Sequence, residues 1–317
     1  MRIVVLDGFT LNPGDNPWDP VAELGDLTVY DRTPPHLVAD RAADAEIVLT
    51  NKTRLDATVL AALHRLRFIS VLATGYDVVD IVAARKRGVI VSNVPEYSTD
   101  SVAQHVFALL LELCHKTGLH DQAVRSGCWS MSEDFCFWLQ APIELAGLAL
   151  GIVGLGRIGR RVAQIGDALG MRVLATGPRH PTALPPYVRW TDLASLFCEA
   201  DVVTLHCPLS PENEKFVNEK LFALMKPSAF FINTARGKLV DEHALACALR
   251  EGKLAGAALD VVSEEPIRPD NPLLRAPNCV LTPHIAWASL AARRRLMVAT
   301  AENIRAFLAG RPIHVVS

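Results

Sequence analysis

Short apolar runs bounded by glycine, proline and small polar residues recur along the whole chain, separated by stretches in which apolar residues return every three or four positions. Such runs are too short to span a membrane, and without polar alternation they read as strands buried on both faces of a parallel sheet. The pattern predicts strands at residues 2–8, 27–31, 46–51, 67–74 and 89–95, and a second series at 148–153, 171–176, 201–206, 229–233, 256–261 and 279–282. Helices are predicted between them at 37–43, 57–64, 79–87, 193–198, 219–223, 241–251 and 289–308. Ser98-Thr99-Asp100 caps a long apolar helix, 101–114, that leaves the first series and opens the second. Strand-helix alternation in both series predicts an α/β chain of two doubly wound parallel sheets. Residues 118–144 stand apart, with no clean period and a cluster of Trp129, Phe135, Phe137 and Trp138. A long irregular segment this apolar is better explained as an arm packed on a second subunit, so a homodimer is expected.

The run at 148–153 leads into Gly154, Gly156 and Gly159, a G-x-G-x-x-G turn, after which Ile158, Val162, Ile165 and Leu169 recur at helical spacing. A strand, this turn, a helix and a further strand make a βαβ unit suited to a dinucleotide. The first glycine permits the tight turn, the second lets a pyrophosphate approach the backbone, and the third lets helix and strand pack closely. An NAD site usually carries Asp or Glu about 20 residues further on. Here the second strand ends Thr176-Gly177-Pro178-Arg179-His180 with no carboxylate. A small residue followed by a cation suits a 2′-phosphate, so NADP(H) is favoured, with NAD(H) possible.

Composition narrows the partners. With 317 residues, 50% of them hydrophobic, the chain can bury a large core and fill two domains. A formal charge of -2 offers no footprint for nucleic acid or an anionic membrane. The seven cysteines are scattered without metal-ligand spacing, which indicates a reducing compartment and no metal site. The N-terminus lacks a signal peptide's long apolar core, and a cytoplasmic location is expected.

Arg236, Glu265 and His284 each lie just beyond a predicted strand of the second series, where ligand groups converge in open α/β sheets. A guanidinium there can hold the carboxylate of a 2-oxo acid bidentately. An imidazolium can donate a proton to the neighbouring carbonyl oxygen while hydride arrives from a nicotinamide. A carboxylate on the far ring nitrogen would favour the protonated ring and fix it. Asp260 is well placed for cofactor ribose or carboxamide. In the first series, the turn at Thr74-Gly75 follows a strand, and its amides could hold a carboxylate.

These stretches, LGIVGLGRIG, NTARGKLVDEHAL, GAALDVVSEEP and LTPHIAWAS, resemble the D-isomer-specific 2-hydroxyacid dehydrogenases, the family of D-glycerate dehydrogenase and the hydroxypyruvate and glyoxylate reductases. The resemblance implies a flavodoxin-like catalytic domain from residues 1–98 plus 289–317, hinged to a Rossmann nucleotide domain at 99–288 whose dimerisation arm spans about 118–146, with substrate in the cleft. It implies that Arg236, Glu265 and His284 are catalytic and that Thr74, Gly75, Arg236 and Trp287 bind substrate. Cofactor contacts are implied for Gly154, Gly156, Arg157, Ile158, Gly159, Thr176, Gly177, Arg179, Cys207, Pro208, Thr234, Ala235 and Asp260. Hydroxypyruvate or glyoxylate is the expected substrate; the alternatives are another 2-oxo acid, such as 2-ketogluconate or pyruvate, or a nicotinamide-sensing interaction protein resembling corepressors. Gly177 departs from the Asp common in NAD-using members, and Trp287 stands where many carry a small residue.

Overall fold

In a computed structural model describing residues 1–317, the first apolar runs form β1 (Arg2–Val5), β2 (Asp26–Val29), β3 (Ile47–Thr50), β4 (Phe68–Val71) and β5 (Ile90–Ser92). They pair in parallel in the order β2-β1-β3-β4-β5. β3 and β4 are buried at every position, because each face of the sheet is covered. Ile3, Val5, Ile47, Leu49 and Phe68 point to one face, and there the chain's last helix, Leu290–Leu308, supplies Leu296, Met297, Ala301 and Ile304. Phe307 stacks on Phe68 with ring centroids 4.5 Å apart. Burying each such side chain contributes about 1.5–3 kcal/mol, which explains why the C-terminal helix belongs with the N-terminal sheet. The fully buried Asn303 adds direction, donating to Asn93 O at 2.9 Å.

The second sheet holds β6 (Ala149–Val153), β7 (Arg172–Thr176), β8 (Val188–Trp190), β9 (Val202–Leu205), β10 (Phe230–Asn233), β11 (Gly256–Leu259) and β12 (Cys279–Leu281). Its order is β12-β11-β10-β9-β6-β7-β8, all parallel. Chain order reverses between β6 and β9, the kind of switch point outside which ligands of open sheets bind. The helix Thr99–His115 covers one face through Val106, Leu110 and Leu113, beside Val162 of the helix Arg157–Ala168. The chain thus divides into two compact units, Met1–Ser98 with Trp287–Ser317, and Thr99–Ala286.

Besides the short helix Asp19–Ala22 and several 3-10 turns, two elements lie outside the sequence expectation. Part of the segment read as irregular is a helix, Thr117–Arg125, which follows a left-handed residue at Lys116 and buries only Ala123, too little to print an apolar period. β8 is an edge strand behind the proline-rich stretch 181–186, and its three residues show no run. Beyond that helix the segment does expose large side chains, with Met131 78%, Phe135 89% and Trp138 64% accessible. No helix is long and apolar enough to cross a membrane.

Candidate active site

β10, β11 and β12 are consecutive and parallel, so the segments after them leave one edge of the sheet at strand spacings of about 4.8 Å. Arg236 follows β10, Glu265 follows β11 and His284 follows β12. His284 Nδ1 lies 2.6 Å from Glu265 Oε2, a contact that fixes the ring and leaves Nε2 to face a substrate. The Arg236 and Glu265 segments pack backbone on backbone: a Cβ at Gly237 would fall 1.9 Å from the Val262 carbonyl carbon. Asn233 braces the Arg236 turn, donating to Arg236 O at 2.9 Å and accepting from Ala235 N at 3.0 Å.

Two buried carboxylates hold these loops, and the sequence reading gave neither that role. Glu242 accepts from Ser263 N at 2.6 Å, Ser263 Oγ at 2.8 Å and Asn271 Nδ2 at 2.9 Å, buttressing the segment that carries Glu265. Asp260, expected at the cofactor, is enclosed by its own chain. It accepts from Thr282 Oγ1 at 2.6 Å and from the amides of Ile285 and Ala286, both at 2.8 Å. Burial alone would raise its carboxyl, but hydrogen bonds from His105, Thr282, Ala286 and Ile285 outweigh that and hold its pKa below the ordinary value. The clamp matters because His284 has φ +54°, a left-handed conformation that costs a non-glycine residue free energy and persists only where surroundings impose it.

The glycine turn fits a pyrophosphate. Gly154 has φ +100°, and a Cβ on Gly159 would lie 2.2 Å from Gly154 O, so both must be glycine for strand and helix to meet. A Cβ on Gly156 would meet nothing within 4 Å, and no side chain caps the helix Arg157–Ala168 that begins there. The positive end of the helix dipole there favours an anion. Thr234 Oγ1 is buried with no hydrogen-bond partner in the chain, which suits a site that receives a further polar group. Thr176 is buried at the end of β7, followed by Gly177, Arg179 and His180, whose ring lies 5.1 Å from that of Trp190. Arg157 and Ile158 open the helix at the turn, and Cys207 and Pro208 follow β9 across the switch point.

Burial pushes the Cys207 thiol up to about 11, so it stays protonated and is no nucleophile. Burial also lowers His206 from 6.5 to about 3, with Nε2 3.0 Å from Thr204 Oγ1. The folded chain thus refuses a proton that the unfolded chain accepts. Stability from this group is complete above pH 6.5 and is lost as pH falls from there toward 3. His206→Gln takes up no proton, so the melting temperature of the unaltered protein minus that of the variant is expected to shrink between about pH 7.5 and 5.5. A constant difference would show that His206 protonates equally in both states.

In the first unit, Thr74 and Gly75 follow β4, with Thr74 Oγ1 donating to Val94 O at 3.0 Å. Trp287 packs edge-on against Tyr97 there, ring centroids 6.3 Å apart.

Residues 107–286 match the D-isomer specific 2-hydroxyacid dehydrogenase, NAD binding domain. The chain belongs to this family. It is therefore an oxidoreductase with a pyridine-nucleotide site. It is 47% identical to the hydroxypyruvate reductase of Blautia hydrogenotrophica, over 100% of each chain. It is 40% identical to the glycerate dehydrogenase of Methylorubrum extorquens, covering 89% of this chain and 88% of that one. Among solved structures, an acyclic imino acid reductase in complex with NADPH and D-Arg superposes with a TM-score of 0.85 at 31% identity, over 100% of both chains.

Proposed function

We propose that this dehydrogenase reduces small 2-oxo acids, hydroxypyruvate or glyoxylate foremost, to D-glycerate or glycolate, with NADPH preferred to NADH. The observation that carries the reading is the 2.6 Å His284–Glu265 pair, which follows β12 and β11, beside β10, the strand that delivers Arg236. The Arg236 fork holds the substrate carboxylate and polarises the adjacent carbonyl. His284 Nε2–H gives its proton to the carbonyl oxygen, and Glu265 holds Nδ1–H throughout, stabilising the imidazolium until transfer. A reduced nicotinamide held at the glycine turn would supply the hydride for the carbonyl carbon. His284 is then reprotonated from solvent. Thr74, Gly75 and Trp287 enter as substrate-binding residues on the family resemblance. The unit Thr99–Ala286 acts as the nucleotide domain and the other as the substrate domain.

The similarity to a hydroxypyruvate reductase over the full chain supports the substrate class. The test is a panel of initial rates with hydroxypyruvate, glyoxylate, pyruvate and 2-ketogluconate against each reduced cofactor. The highest kcat/KM is expected for hydroxypyruvate or glyoxylate with NADPH, and preference for a bulkier acid would overturn the assignment. The exposed Met131, Phe135 and Trp138 support a homodimer joined through this arm, to be checked by sedimentation. Seven free cysteines support a reducing, cytoplasmic setting.

Gly177→Asp tests the cofactor reading. The new Cβ would meet Trp190 Cη2 at 3.3 Å, so the ring must give by a few tenths of an ångström, which an edge strand allows. A carboxylate near a 2′-phosphate costs about 1–4 kcal/mol at 4 Å separation. The NADPH/NADH ratio of kcat/KM is therefore expected to fall about tenfold or more, and an unchanged ratio would count against a 2′-phosphate site here.

A further inference from the structure

The loop carrying His284 is gripped from the helix Thr99–His115 by two side chains one turn apart. Ser101 Oγ donates to Ala286 O at 2.7 Å, at one end of the loop. His105 Nε2 lies 3.1 Å from Thr282 Oγ1, at the other end, and 3.5 Å from Asp260 Oδ1. Residues four apart share a helix face, so one rigid element holds both ends of a five-residue loop with His284 at its centre.

Proton accounting gives this contact a direction. Thr282 has one hydroxyl hydrogen, and at 2.6 Å it goes to Asp260 Oδ1, whose ionised carboxylate can only accept. Thr282 Oγ1 must therefore accept from His105, which carries its proton on Nε2. The same carboxylate takes the amides of Ile285 and Ala286, while His284 N donates to Asp260 O at 2.8 Å. The result is a continuous relay from His105 through Thr282 and Asp260 to the amides of His284, Ile285 and Ala286.

We propose that His105 is a positioning residue for the reaction: through Thr282 and Asp260 it holds the left-handed backbone that aims His284 at Glu265 and the substrate. The proposal rests on the reading of His284 as the proton donor. A misplacement of about 1 Å at a reacting group can cost about 10²-fold in rate, so losing the relay's outer donor should register in kcat.

The test compares His105→Leu, which removes the donor, with His105→Gln, whose amide nitrogen can occupy the Nε2 position, using hydroxypyruvate and NADPH. His105→Leu is expected to lower kcat about tenfold or more with the KM for NADPH within about twofold, and His105→Gln to recover kcat to within about threefold of the unaltered enzyme. Equal losses in both variants would mean that His105 only fills space, and full kcat in His105→Leu would show that the relay is idle; either overturns the proposal. If His105→Leu does not fold, Ser101→Ala removes the other grip, and kcat is expected to fall several-fold at constant cofactor KM; an unchanged kcat would overturn the clamp. His284→Ala measured alongside separates the layers. A slow His284→Ala with a fast His105→Leu refutes the positioning role alone, whereas a fast His284→Ala refutes the acid assignment and this proposal with it.

Discussion

His284→Ala is expected to lower kcat by about 10²-fold or more while leaving the KM for NADPH within a few-fold, because a positioned general acid contributes about 10²–10⁴ in rate and cofactor binding does not involve the ring. The geometry makes this sharper than a motif does. With Nδ1 held 2.6 Å from Glu265 Oε2, one ring nitrogen is committed to the protein and the other is left for the substrate oxygen. Alanine removes the donor and takes the ring away from Glu265. Glu265→Gln keeps an acceptor for Nδ1–H but removes the charge that faces the ring, so its kcat should fall, though less than that of His284→Ala. Steady-state kinetics on the two variants check both. A His284→Ala enzyme with near-normal kcat would remove the proposed mechanism, whatever the family.

The positions of Arg236, Glu265 and His284 were legible because parallel sheets write themselves into sequence. Strands buried on both faces, such as β6, β9 and β10, print as unbroken apolar runs, and the first polar groups beyond a run must sit at its carboxyl edge. Arg236, Glu265 and His284 lie a few residues beyond three such runs, and adjacency of β10, β11 and β12 brings their segments together. What supports the trio was not legible. Glu242 reads as an ordinary acidic residue in a helix's first turn, and Asp260 as a strand-end carboxylate free for a ligand. Their roles depend on Ser263, Asn271, Thr282 and Ala286, partners that only folding brings near. His105 lies in an apolar helix with no local signal, since its partner is 177 positions away in the chain. The helix Thr117–Arg125 escaped for a simpler reason: with one buried residue it has almost no apolar face to announce it.

Gly237→Ala is expected to be the most damaging single-methyl change at the site. Its effect comes from close approach, because Gly237 is not among the residues with positive φ. An added Cβ would lie 1.9 Å from Val262 C, 2.1 Å from Val262 O and 2.4 Å from Ser263 N. All three are main-chain atoms with no rotamer to yield, so relief requires the turn bearing Arg236 and the segment leading to Glu265 to part by about an ångström or more. Overpacking of this kind costs about 1–3 kcal/mol or more, and the melting temperature should drop by several degrees. Separating the guanidinium from the carboxylate-propped acid should also reduce kcat/KM by about 10²-fold. Gly156→Ala supplies the contrast, since its Cβ meets nothing within 4 Å. It should melt normally yet raise the KM for NADPH about tenfold or more, because the methyl occupies the approach of the pyrophosphate. Thermal melts and kinetics on the pair separate the two uses of glycine, one admitting the protein's own backbone and the other admitting a ligand. If Gly237→Ala melted and turned over like the unaltered enzyme, the Arg236 and Glu265 segments could not be packed as tightly as the mechanism requires.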